Sequence, residues 1–96
     1  MEIFVDIDGT ICQTIGRNYE SSQPIPEHIA KINKLYDEGN TIVYYSARGQ
    51  VSGTNYKALT LSQLREWGCK FHNLVLGHKP PYDLMICDKT KRIEEI

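Results

Sequence analysis

The apolar positions of this chain fall into short continuous runs alternating with one-sided, helical spacings. Glu2-Ile3-Phe4-Val5 opens with an apolar, β-prone run that contains no breaker and predicts a buried parallel strand over about 2–7. Pro26 suits the first position of a helix, with Glu27 in its first turn. Ile29, Ile32, Leu35 and Tyr36 then recur three and four apart, as one apolar helix face does, and Gly39 supplies a C-terminal stop. A second β-prone run, 41–45, follows at once. Leu59, Leu61, Leu64 and Trp67 predict a second helix over about 55–67, ended by Gly68. Phe71 to Leu76 contains a third strand, 83–87 a fourth, and 89–96 a short terminal helix. Residues 9–24, 46–55 and 77–81 read as polar or breaker-rich loops.

The order βαβαββ implies a mostly parallel sheet with right-handed crossovers. Ninety-six residues suffice for one small core, so a single domain spanning 1–96 is expected. A net charge of −1 and a pI near 6.3 provide no global field for nucleic acid or anionic lipid. No apolar stretch approaches the ~20 residues of a membrane span, and an N-terminus that enters a strand directly does not read as a signal peptide. Cys12, Cys69 and Cys87 are odd in number and lack zinc spacing, so free thiols in a reducing cytoplasm are expected.

Candidate chemistry begins where the first strand ends. Asp6-Ile7-Asp8-Gly9-Thr10 brings two carboxylates and a Gly-Thr turn to the carboxyl end of a core strand, where open α/β sheets place their ligand crevice. Residues two apart on a strand point the same way, so Asp6 and Asp8 share a side. Like charges held together are costly unless a cation lies between them, and magnesium suits hard oxygen ligands combined with a substrate phosphate. Read alone, Asp-x-Asp-Gly is also a common turn.

This stretch resembles the first motif of the haloacid dehalogenase (HAD) superfamily of phosphohydrolases, Asp-x-Asp-x-Thr after a strand. Three further motifs of that family have counterparts in order. Ser46 of Ser46-Ala47-Arg48-Gly49 follows the second strand, Lys79 lies in Gly77-His78-Lys79-Pro80, and Asp88 closes the fourth strand. The resemblance implies an α/β, single-domain, Rossmann-like three-layer α/β/α sandwich with a mostly parallel sheet. Strand one would be central, with strand two on one side and strand four on the other.

The resemblance also implies roles. Asp6 would attack phosphorus and form an aspartyl-phosphate. Asp8 would protonate the leaving oxygen and then activate water, a double duty that favours a pKa near the operating pH. Thr10, Ser46 and Lys79 would bind the phosphoryl oxygens. Mg2+ would be held by Asp6, by Asp8 through its backbone carbonyl, and by Asp88. Many relatives carry two adjacent acids where this chain has Cys87-Asp88. Arg48, two residues beyond Ser46, is a candidate for substrate recognition, able to grip a carboxylate, a second phosphate or a sugar hydroxyl. The competing reading for Arg48 is a surface salt bridge, for Ser46 a helix cap, and for Lys79 a solvated loop charge. His28, His72 and His78 read as structural or surface residues. Tyr19 and Tyr56 are the aromatic residues placed nearest the crevice.

No cap domain fits between Asp8 and strand two, where one helix takes nearly half of the residues, or between Ser46 and Lys79, where the segment is mostly one helix and one strand. The expected core is therefore capless and open, and a homo-oligomer that closes the site is expected. The strings Asp-Ile-Asp-Gly-Thr-Ile, Tyr-Ser-Ala-Arg-Gly and Trp-Gly-Cys are similar to those of small proteins labelled capsule or polysaccharide biosynthesis phosphatases. That similarity implies a small phosphorylated substrate, a sugar phosphate or nucleotide-sugar precursor. A nucleic-acid end phosphatase is the first alternative, disfavoured by net charge. A phosphate-binding module without turnover, and phosphoryl transfer to another sugar, are the others.

Overall fold

The computed structural model describes residues 1–49, 53–77 and 84–86. Lys79, Cys87, Asp88 and the expected terminal helix lie outside the described residues.

Among the described residues, four parallel strands form the main sheet: β1 (Glu2–Asp6), β4 (Thr41–Ser46), β5 (Asn73–Leu76) and β6 (Leu84–Ile86). Their order is β5-β4-β1-β6, so β1 lies between β4 and β6 as expected. The register of β1 against β4 sets Asp6 beside Tyr45, and the β4 chain then places Ser46 one residue further on. The carboxyl ends of β1 and β4 therefore finish side by side, at the end of the sheet where open parallel sheets place their ligand crevice.

Helices α1 (Pro26–Asp37) and α2 (Lys57–Glu66) connect β1 to β4 and β4 to β5. Both crossovers step the same way across the sheet, so with right-handed connections both helices land on the same face. Ile29 and Ile32 of α1 and Leu64 of α2 meet Ile3, Val5, Ile42, Tyr44 and Leu74 there in one buried cluster. Burying each such large apolar side chain stabilises the fold by roughly 1.5–3 kcal/mol. Phe4 and Val43, one residue out of phase, form a smaller cluster with Tyr45 and Val75 on the opposite face.

Two features depart from the sequence reading. The segment 9–24 contains a small antiparallel hairpin, β2 (Cys12–Gln13) with β3 (Gln23–Pro24), bridged by a 3-10 turn at Tyr19–Ser21. Strands of two residues are too short to show alternation, so polarity alone suggested a loop. The second difference is the rotation of α2. Its fully or nearly buried residues are Thr60, Gln63 and Leu64, whereas Leu59 and Leu61 are only half-buried. Two polar side chains thus occupy the inward stripe of α2, and the site explains why.

Candidate active site

The crevice opens at the ends of β1 and β4 with a volume of about 400 Å3, lined by Asp6, Asp8, Gly9, Thr14, Tyr19, Ser46 and Arg48 among others. Asp6 ends β1, and its Oδ1 accepts from the Ile7 amide at 2.9 Å. Gly9 has φ +86°, a left-handed turn that glycine adopts without a Cβ clash, and so the chain reverses directly after Asp8.

Asp8 accepts four hydrogen bonds from oxygen and nitrogen donors. Its Oδ1 accepts from Arg48 Nη2 at 2.8 Å and from Thr14 Oγ1 at 2.7 Å. Its Oδ2 accepts from Arg48 Nε at 3.0 Å and from Ser46 Oγ at 3.2 Å. The Arg48 contact is therefore a bidentate, charge-assisted pair. Burial, the largest single influence on the Asp8 carboxyl, pushes its pKa up. The hydrogen bonds from Arg48, Thr14 and Ser46, with the Arg48 charge, outweigh burial and hold it below the usual value of 3.8. A resting Asp8 poised near neutral pH, as its double role suggested, is not what this environment produces.

Arg48 itself is 3% exposed. Nη1 donates to Gln63 Oε1 at 2.5 Å and to Thr60 Oγ1 at 3.1 Å. Nη2 reaches Ser22 Oγ at 3.4 Å in addition to Asp8. With Nε on Asp8, all five guanidinium donors are used. The Tyr19 ring covers the cation at 4.8 Å, and Tyr56 meets Tyr19 edge-on. The expected role of Arg48 in gripping substrate gives way to this arrangement. A substrate anion would have to displace one of five existing hydrogen bonds, two of which go to Asp8. The surface salt-bridge reading gives way as well, because the pair is internal.

Thr14 and Ser22, from the two sides of the hairpin, complete the ring. Their hydroxyls are 2.6 Å apart. A hydroxyl has one hydrogen, and that of Thr14 goes to Asp8, so Ser22 donates to Thr14. The chain of donors runs from Arg48 through Ser22 and Thr14 to Asp8. Ser46 also accepts from the Arg48 amide at 3.1 Å, which aims its hydroxyl at Asp8.

Thr10 is placed differently. It is almost completely buried, and among the described residues its Oγ1 has no hydrogen-bond partner. It is not among the residues lining the crevice. His28 Nδ1 contacts the Thr10 carbonyl at 2.7 Å, which ties α1 to the turn. His72 accepts from the Ile42 amide and stacks on Tyr36. Cys12 lies with its Sγ 3.6 Å from Asp8 Oδ1. Burial first, and then the Asp8 charge, push its thiol pKa up to about 11.

The donor set fits magnesium in part. Asp6 contributes a carboxylate to the crevice, but both Asp8 oxygens are already bonded and Arg48 supplies the cation that the paired acids called for. No cluster of three or more His, Cys, Asp or Glu suited to a metal occurs among the described residues, and Asp88 lies outside them.

Sequence reasoning missed Thr14, Ser22, Thr60 and Gln63. The usable signal was in α2, where Thr60, Gln63 and Leu64 keep helical spacing with two polar members on the buried stripe.

No family model and no curated relative matches the sequence. Among solved structures, the chain is similar to a target protein from Vibrio cholerae, with a TM-score of 0.73 and 18% identity over 82% of this chain and 71% of that one. The chain has a HAD-like fold. It is also similar to D,D-heptose 1.7-bisphosphate phosphatase from B. bronchiseptica, solved with magnesium and phosphate. There the TM-score is 0.59 and the identity 18%, over 82% of this chain and 51% of that one. This chain thus spans about half the length of that phosphatase. Among the described residues, no helix is long and apolar enough to cross a membrane.

Proposed function

We propose that this chain is a magnesium-dependent phosphomonoester hydrolase that works through an aspartyl-phosphate on Asp6. The observation that carries this reading is the convergence of Asp6, Asp8 and Ser46 on one crevice, with Asp8 oriented by two bonds from Arg48. Asp6 is the nucleophile: one of its carboxylate oxygens bonds to phosphorus as the bond from phosphorus to the leaving oxygen breaks. Asp8 gives a proton to that leaving oxygen. It later takes one from the water that hydrolyses the acyl-phosphate.

Asp8 must acquire a proton before it can donate one. Ser46 provides a route, since its 3.2 Å bond to Asp8 Oδ2 is the longest of the four oxygen contacts made by Ser46, Thr14 and Arg48. When Ser46 turns to a phosphoryl oxygen, a lone pair on Oδ2 is released. The incoming phosphoryl charge then favours the protonated acid. Bound magnesium would supply charge neutralisation at the phosphoryl group, held by the Asp6 carboxylate and the Asp8 backbone carbonyl, with Asp88 as the expected third ligand. Lys79 is assigned to the phosphoryl oxygens and Thr10 to the backbone turn that presents them.

The proposed substrate class is a sugar phosphate. The phosphatase acting on a heptose bisphosphate shares the fold, and the Tyr19 ring offers a flat wall beside the acid. A capsule or polysaccharide precursor falls within that class.

The test is phosphate release from a panel of sugar phosphates, nucleotides and end-phosphorylated oligonucleotides, with magnesium, with EDTA, and with Asp6→Asn. Magnesium-dependent release that disappears in Asp6→Asn is expected, with a sugar phosphate as the best substrate. An oligonucleotide as best substrate would favour the end-phosphatase alternative. No release by the folded protein from any substrate would overturn the reading.

A further inference from the structure

Gln63 makes two polar contacts at once, although it is only 6% exposed. Its Oε1 accepts from Arg48 Nη1 at 2.5 Å, and its Nε2 donates to the Tyr19 carbonyl at 2.6 Å. One side chain on α2 thereby holds both the cation that grips Asp8 and the backbone of the residue that walls the crevice. Gln63 also lines a second cleft of about 490 Å3, with Leu59, Trp67 and Pro24, and is not among the residues lining the crevice. An apolar residue there would fill space equally well. It would leave a buried guanidinium N–H short of an acceptor.

From this geometry we infer that Gln63, seconded by Thr60, is a positioning residue for the leaving-group acid Asp8, acting through Arg48, and that Gln63 also sets the Tyr19 wall. The inference rests on the phosphatase reading above and deepens it. Arg48 has a long, flexible stem, and its bidentate hold on Asp8 fixes the carboxylate only if the guanidinium plane is itself fixed. Two acceptors on α2 fix one edge of that plane, and Asp8 takes the other. Small misplacements of a catalytic group are expensive, so an acceptor one residue removed from the reacting atoms still controls the rate.

A purely structural residue and a positioning residue separate on leaving-group dependence. An alkyl phosphate expels a poor leaving group and needs the acid. p-Nitrophenyl phosphate expels a stable anion and hardly needs it. We expect Gln63→Met to lower kcat/KM for the best alkyl phosphate of the panel by about tenfold or more, while p-nitrophenyl phosphate stays within about threefold of wild type. Gln63→Glu keeps the acceptor for Arg48 and loses the donor to Tyr19. It should restore the wild-type ratio of alkyl to aryl rates while raising KM. Thr60→Val should shift that ratio in the same direction as Gln63→Met by a smaller factor, and it decides the matter if Gln63→Met does not fold.

Equal loss on both substrates in Gln63→Met and Thr60→Val, or no loss on either, would overturn the inference and leave the phosphatase reading intact. A Gln63→Glu variant with the same ratio as Gln63→Met would also overturn it. So would a wild-type enzyme that hydrolyses the aryl ester and no alkyl ester. Absence of phosphate release from every substrate by folded wild type would remove the phosphatase reading, and this inference with it.

Discussion

Arg48 Nη2 lies 2.8 Å from Asp8 Oδ1 and Arg48 Nε lies 3.0 Å from Asp8 Oδ2, so residues forty positions apart form a two-point ion pair inside the protein. The pair joins the turn after β1 to the segment after β4, and Thr60, Gln63 and Ser22 bind its outer donors to α2 and the hairpin. Its strength comes from low exposure and planar geometry together, conditions that isolated surface pairs lack.

Replacing Arg48 by Lys should destabilise the protein strongly. An ammonium is a point charge that cannot span both Asp8 oxygens while also reaching Thr60 and Gln63. Removing one partner of a buried pair costs about 3–5 kcal/mol, and the 26% exposure of the Asp8 side chain places the expected loss at the lower end of that range. Urea unfolding of wild type and Arg48→Lys would measure it, and a midpoint shift corresponding to under ~1 kcal/mol would contradict the role given to the pair.

The pair also sets an acid limit on stability. The folded-state pKa of Asp8 is depressed, so the folded protein binds its proton less readily than the unfolded chain. The contribution is complete above the unfolded value of 3.8 and is lost as pH falls below it, through the lower folded-state pKa. Asp8→Asn should therefore be less stable than wild type at neutral pH, and the gap should narrow below about pH 4. Parallel unfolding curves at each pH would show whether it does.

The alkaline limb should carry the opposite sign. Burial holds the Cys12 and Cys69 thiols protonated until about pH 11, against an ordinary value of 9.0. Between these values the unfolded chain releases protons that the folded protein retains, so stability should fall as pH rises from 9 towards 11. Both thiols are free, and in the folded protein at pH 8 they should react with iodoacetamide far more slowly than in urea. Mass spectrometry of the alkylated protein reads this directly, and fast labelling of Cys12 in the native state would count against its burial.

Gly49 follows Arg48 at φ +85°, and a Cβ there would collide with the Thr54 carbonyl oxygen. Gly49→Ala should incur the left-handed penalty of roughly 1–2 kcal/mol in addition to that clash. For a domain of this size, a melting temperature lower by roughly 5–15 °C is the expected result. An unchanged melting temperature would mean that the turn relaxes without consequence.

The core strands and helices were legible because apolar period survives in sequence. Ile29, Ile32 and Leu35 announce α1, and Ile3-Phe4-Val5 announces β1. The hairpin was not legible, since Cys12–Gln13 and Gln23–Pro24 are too short to carry a period and are held by partners such as Asp8 and Arg48 that lie elsewhere in the chain. Arg48 was singled out for its position, and in the structure its guanidinium is held by Asp8, Thr60, Gln63 and Ser22. Whether a guanidinium faces solvent, substrate or carboxylate depends on which acceptors the fold delivers to it.

Local chemistry alone determined that Asp6 and Asp8 leave a core strand together, that Ser46 ends a later strand, and that the sheet is mostly parallel; which strands are neighbours came from the family resemblance and from the structure. These follow from strand pleat, helix period and short connections, which act between residues close in sequence. Tertiary structure alone decided that Asp8 is an ion-paired carboxylate rather than a solvated one, and that Thr60 and Gln63 belong to the site. A pKa and a hydrogen-bond partner are set by what surrounds a group in space, and the groups surrounding Asp8 come from the hairpin, the end of β4 and, one step removed, α2.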